Sequence, residues 1–166
     1  MIKLKVVESE FGTVTISRRK LTGTILYEQG GVYQSEADSS GVSLATYIHA
    51  IFGLISQTKA RKILMLGCGG GTLATMLDRT GCSVTIVDVN EASFTLAKQH
   101  FSLPDSVECH VADAKSFLLS DTHSYDAIIH DAFDLPLLPG RNMGCHDSPS
   151  RRRTSAFLAH SIRKFS

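Results

Sequence analysis

Gly67, Gly69 and Gly71 alternate with Cys68 and Gly70 directly after the apolar run Ile63-Leu64-Met65-Leu66, and aspartates stand at 88, 113, 131 and 134, beyond later apolar runs. Glycines let a ligand approach the backbone, and the first amides of a following helix attract electron-rich groups. Asp88 comes 21 residues after Gly67, at the end of the next apolar run. A carboxylate there can accept hydrogen bonds from both hydroxyls of a ribose. Asp113, in Val111-Ala112-Asp113-Ala114, can accept from an adenine amino group. The pattern points to a nucleoside-containing ligand. A nicotinamide dinucleotide and an adenosyl sulfonium both fit glycine turn plus carboxylate. The dinucleotide fingerprint, however, needs a small residue where Thr72 stands. Asp131 and Asp134 extend a row of carboxylates that repels phosphates and attracts cations. That row favours a sulfonium ligand and an amine co-substrate.

The elements that must hold these residues emerge from periodicity. Ile63 to Leu66, Val84 to Val87, Val107 to Val111 and Tyr125 to His130 are short, nearly continuous apolar runs, as expected of strands buried on both faces of a parallel sheet. Thr72 to Arg79, Asn90 to about Phe101, and Asp113 through Leu119 read as the intervening helices, with Asn90 and Asp113 as N-caps. Ligands of such sheets bind beyond the carboxyl ends of the strands, near the topological switch point. Ahead of them, Ile2/Leu4/Val6, Val14/Ile16 and Ile25-Leu26-Tyr27, separated by Gly12 and Gly23, predict a small antiparallel sheet. Val42 to Ser56 carries apolar residues at three- and four-residue spacings and predicts a helix packed on the segments after it. The expected divisions are 1–57, a β-hairpin region with its linking helix; 58–134, a doubly wound α/β nucleoside-binding domain; and 135–166, a basic tail. His130 alternates to the opposite side of its strand from Asp131 and reads as structural. His49 reads as a helix-face residue.

The chain has 166 residues, 43% of them apolar, and a net charge of +1. That composition excludes a disordered chain and a strongly basic polyanion binder. The near-neutral total hides an asymmetry. Residues 1–134 hold 11 basic and 15 acidic side chains, whereas 135–166 hold 6 and 1. Arg151-Arg152-Arg153 has no interleaved aromatic residues, so a solvated tail is expected and nucleic acid is not an expected partner. The four cysteines lack metal-type spacing, so neither a metal site nor a catalytic thiol is expected. No segment reads as a signal peptide or membrane span, and a soluble cytoplasmic protein is the expectation.

The order of hairpins, Gly30-Gly31-Val32-Tyr33-Gln34, helix, Ile63 to Gly71, Asp88, Asp113-Ala114 and Asp131-Ala132-Phe133-Asp134 resembles the spermidine synthase (polyamine aminopropyltransferase) family. That family is a branch of the Rossmann-like class I S-adenosylmethionine methyltransferase fold. The resemblance implies that Gly67, Gly69 and Gly71 hold the amino-acid-derived part of the nucleoside, joined by Gln34. It implies that Asp88 binds ribose, that Asp113-Ala114 binds adenine, that Asp131 is catalytic and that Asp134 helps bind the amine. The co-substrate would be S-adenosylmethionine or its decarboxylated form, with no metal, and the reaction displacement at a carbon on sulfur by a neutral amine. The family's G-G-G-D-G has Gly70 in place of its aspartate, its E-x-D reads Asp88-Val89-Asn90, and its Tyr-His-Glu is replaced near Ser43-Leu44-Ala45. A plain methyltransferase is therefore the alternative, and a non-catalytic nucleoside-binding remnant the third reading.

Only 32 residues follow Asp134, whereas the family's sheet continues with a helix and further strands. At best one short helix, Thr154 to Lys164, is expected there. The fourth parallel strand would then lie at an exposed edge. The expectation is a product shortened or frame-altered near Leu135, or an edge covered by another chain, as in a homo-oligomer such as a dimer.

Overall fold

The computed structural model describes residues 1–133 and 152–158. Two sheets result. The first is an antiparallel meander of β1 (Ile2–Val7), β2 (Val14–Arg18), β3 (Ile25–Gln29) and β4 (Val32–Ala37). The second has five strands in the order β7-β6-β5-β8-β9, where β5 is Lys62–Leu66, β6 Ser83–Asp88, β7 Glu108–Val111, β8 Ala127–Phe133 and β9 Arg152–Leu158. Strands β5 to β8 run parallel. Since β6 and β7 lie to one side of β5 and β8 to the other, the switch point falls between β5 and β8, at the end of which stand Gly67 and Asp131.

Alternation within β5 explains its continuous apolar run. Ile63 and Met65 face one core, with Ile48, Ile51 and Ile55 of α1 (Thr46–Ser56), Leu73 and Leu77 of α2 (Thr72–Asp78), and Phe94 and Ala97 of α3 (Glu91–His100). Leu64 and Leu66 face the other, with Val87, Ile128 and Phe117 of α4 (Ala114–Ser120). A strand in such a sandwich has no polar face to show. The first sheet packs Val14, Ile16, Ile25 and Tyr27 against Leu96 and Phe101 at the end of α3. The Tyr27 hydroxyl, 2.9 Å from Ser93 Oγ, adds a polar tie.

Local signals hold at the caps. Asn90 Oδ1 accepts from Ala92 N at 3.2 Å, and Asp113 Oδ1 from Ser116 N at 2.9 Å. The helix expected from Val42 begins instead at Thr46, because Ser43 bridges to Ala37 and its Oγ accepts from Ala45 N. His49 is exposed, with Nε2 2.6 Å from Ser43 O.

The largest departure is at the far edge. Residues 152–158 form a strand, not the helix expected from Thr154, and pair antiparallel with all of β8, from Ala127↔Leu158 to Phe133↔Arg152. The edge expected to be bare, or covered by another chain, is thus paired by a strand of this same chain. An open row of backbone donors and acceptors is satisfied by any extended segment, whatever its helical pattern. Pairing also prolongs β8 to Phe133, so Asp131 lies within the strand and not after it. Asp134 and the Gly/Ser/Arg-rich stretch up to Arg151 lie outside the described residues. Among the described residues, no helix is long and apolar enough to cross a membrane.

Candidate functional site

The carboxyl ends of β5, β6, β7 and β8 open into a cleft of about 1260 Å³, roofed by the β1–β2 turn and the β3–β4 hairpin. Gln34, Gly67, Gly69, Asp88, Asp113, Ala114 and Asp131 all line it. Gly71, expected to join them, does not. It caps α2 in a left-handed conformation, φ +65°, and a Cβ there would lie 2.9 Å from Leu103 Cδ1. The left-handed backbone of the α2 cap is by itself a reason for glycine there.

Asp88 is half-buried at the end of β6. Its Oδ2 accepts from Cys68 N at 2.7 Å and its Oδ1 from Asn90 N at 2.8 Å, so one carboxylate ties the glycine turn to the start of α3. Burial raises its pKa above the ordinary carboxylate range, partly offset by those two bonds. Each oxygen retains a lone pair for a further donor. Asp113 is exposed, and Ser116 N and Oγ both donate to its Oδ1. These bonds, the backbone one first, hold its pKa below the usual value.

The glycine turn is shaped from outside. Gly70 N donates to Ser35 Oγ at 2.9 Å, so β4 latches onto the turn. A Cβ on Gly70 would meet Phe101 Cδ1 at 2.9 Å and Ser35 Cβ at 3.0 Å. Position 70 therefore has no room for a side chain, let alone the aspartate of the resembled family. Gln34 Oε1 approaches within 3.9 Å of where a Gly69 Cβ would be, which places its amide over the turn.

Asp131 faces α1, where the Tyr47 hydroxyl donates to its Oδ2 at 3.3 Å. Tyr47 escaped the sequence reading because its spacing assigns it to the apolar face of α1. The signal was its type, since a buried-face tyrosine must place its hydroxyl somewhere polar. His130, read as structural, lies on the opposite face of β8, as alternation requires, yet it also lines the cleft. Other unforeseen contributors are Glu10 and Phe11 of the β1–β2 turn, held by Gln29 Nε2 donating to Phe11 O at 2.8 Å. Val89, Leu118 and Leu119 add exposed apolar surface at the mouth. Cys68 is buried, and burial pushes its thiol well above the ordinary range, which suits a packing residue and not a nucleophile. No group of three or more His, Cys, Asp or Glu among the described residues is arranged to hold a metal ion.

Comparison with known proteins places this arrangement. Residues 63–142 match a family model described as "Methyltransferase domain". A ubiquinone biosynthesis O-methyltransferase of Schizosaccharomyces pombe is 49% identical over 43 residues, covering 26% of this chain and 16% of that protein. An erythronate-4-phosphate dehydrogenase of Marinobacter nauticus is 29% identical over 110 residues, covering 60% of this chain and 29% of its own. A spermidine synthase crystallised with the transition-state analogue AdoDATO superposes with a TM-score of 0.60 at 17% identity, covering 79% of this chain and 48% of that one. The chain thus spans less than half the length of each of these proteins. The strand order, the parallel register and the helices on both faces give this chain the α/β fold of the Rossmann-like class I methyltransferases.

Proposed function

We propose that this chain binds S-adenosylmethionine in the cleft and transfers its methyl group to a small acceptor. The observation that carries this reading is Gly70. The amino-acid end of the ligand bears a carboxylate, which an aspartate in the glycine turn would repel. Phe101 and Ser35 leave no space for any side chain there, so the turn presents backbone alone. The match of residues 63–142 to the methyltransferase family model supports the same choice.

When bound, S-adenosylmethionine supplies a methyl group on a positively charged sulfur that leaves readily. Asp88, braced by Cys68 N and Asn90 N, accepts from the ribose hydroxyls. Asp113 accepts from the adenine amino group, beside the apolar surface of Val89 and Leu118. Gln34 and Gly69 meet the amino-acid end. Asp131, held by Tyr47, orients the acceptor and takes the proton its N–H or O–H gives up as the new carbon–heteroatom bond forms and the carbon–sulfur bond breaks.

A second reading, aminopropyl transfer from decarboxylated S-adenosylmethionine to an amine, is favoured by Gln34 and Asp131 lining one cleft, as the resemblance to spermidine synthases implies. Calorimetry with both forms of the ligand separates the two. Tighter binding of S-adenosylmethionine, and release of S-adenosylhomocysteine when acceptors are supplied, is the expected result. Tighter binding of the decarboxylated form, with methylthioadenosine released in the presence of amines, overturns it.

A further inference from the structure

Behind Asp131 the cleft has a side niche of about 10 Å³ where β4, α1, β5 and α2 meet. Asp131, Tyr47 and Gln34 line both spaces, so the niche lies directly off the cleft. Its walls include the apolar side chains of Ile48, Met65 and Leu73. Two buried hydroxyl residues also line it, Ser43 at 1% and Thr72 at 4% exposure. Ser43 Oγ accepts from Ala45 N, which leaves its proton to donate elsewhere.

Thr72 is different. Its hydroxyl makes no hydrogen bond with any described residue. Every fully enclosed side-chain nitrogen or oxygen among the described residues does have a partner. The Thr72 oxygen must therefore open onto accessible space, and the niche is a space that Thr72 lines. An unpaired hydroxyl at so buried a position costs about 1–3 kcal/mol unless something pairs with it. A volume of this size is about that required by a single water, roughly 10–15 Å³, and a buried water is stable with two to four polar partners. Thr72, Ser43, Tyr47 and Asp131 supply them.

We propose that the niche is a binding site for one water molecule that joins the Thr72 hydroxyl to the Asp131 carboxylate, making Thr72 a positioning residue for Asp131. Tyr47 then restrains the carboxylate from α1 and the water restrains it from α2. The water site rests on the cavity and the unpaired hydroxyl, whereas its effect on turnover rests on the transfer reading above.

Crystal structures of the full chain and of Thr72→Val, which keeps the shape and removes the hydroxyl, test the site. One ordered water within hydrogen-bond distance of both Thr72 Oγ1 and Asp131 is expected in the wild type. It should be lost in Thr72→Val and restored in Thr72→Ser. An empty niche, or a water that bonds Asp131 without touching Thr72, overturns the proposal, and the wild-type structure alone decides this even if Thr72→Val does not fold. Kinetics supply the second arm. Thr72→Val should lower kcat roughly tenfold through misplacement of Asp131, leave the KM for S-adenosylmethionine nearly unchanged, and be rescued by Thr72→Ser. Unchanged kcat in Thr72→Val overturns the positioning role. Absence of turnover with every acceptor in the wild type overturns the transfer reading and, with it, the positioning role, while the crystal structures still decide whether the water is there.

Discussion

Gly67 and Asp131 meet through their backbones: a Cβ on Gly67 would lie 2.9 Å from the Asp131 carbonyl carbon and 3.0 Å from Ala132 Cα. This contact closes the switch point of the sheet. It brings the glycine turn after β5 against the strand that carries Asp131, with Gly67 in a left-handed conformation, φ +102°.

Gly67→Ala therefore faces both a backbone collision and an unfavourable φ. The expected loss is about 3 kcal/mol or more of unfolding free energy, read from urea denaturation, together with loss of nucleoside binding. A variant as stable as the wild type would mean that β5 and β8 can separate at this point without cost.

Asp88→Asn cannot accept from Cys68 N and Asn90 N at once, since an amide has only one acceptor oxygen. Nucleoside affinity should fall at least roughly tenfold, by calorimetry. The pH trends should be opposed. Because burial raises the folded-state pKa of Asp88, its own contribution to stability is fully present below the unfolded value of 3.8 and is lost as pH rises through the folded one. On the proposed reading Asp88 accepts from the ribose as the ionised carboxylate, so affinity should instead fall as pH drops through that same raised pKa. Comparing wild type with Asp88→Asn across that window isolates both trends.

Tyr47→Phe removes the hydroxyl that donates to Asp131 and keeps the ring packing of α1. A hydrogen bond to a charged group is worth ~1.5–3 kcal/mol. If Tyr47 holds the carboxylate for reaction, kcat should fall roughly tenfold or more, with nucleoside affinity preserved. An equal fall in affinity would point instead to a collapsed cleft.

Asp113 caps α4 and, on the proposed reading, also accepts from adenine, and substitution can separate the two. Asp113→Ser retains an oxygen able to cap α4 but withdraws the carboxylate from the cleft, so the melting temperature should hold while affinity for adenine nucleosides drops. Asp113→Ala should lower both. Full affinity in Asp113→Ser would remove Asp113 from the ligand site.

The features legible in the sequence obey chain-local rules. The run from Ile63 to Leu66 followed by alternating glycines, the placement of Asp88 at the end of the next strand, and the caps at Asn90 and Asp113 each depend on a few neighbouring residues, so periodicity and turn chemistry suffice to find them. Even the need for glycine at 67 could be suspected, though not its cause, which lies 64 residues away in Asp131.

Tertiary structure decided the rest, because it depends on which segments lie side by side. Ser35 reaches Gly70 and Tyr47 reaches Asp131 across 35 and 84 residues, only once the first sheet and α1 have docked on the second. The segment from Thr154 read as a helix from its own pattern but became β9, because the open edge of β8 offered backbone partners that no property of that segment could announce. The sequence by itself determined the glycine turn after the first parallel strand and the carboxylates at the ends of the strands around it. The packing of Phe101 and Ser35 over Gly70, which bars any carboxylate from position 70, was decided only in three dimensions, where side chains distant in sequence compete for one volume.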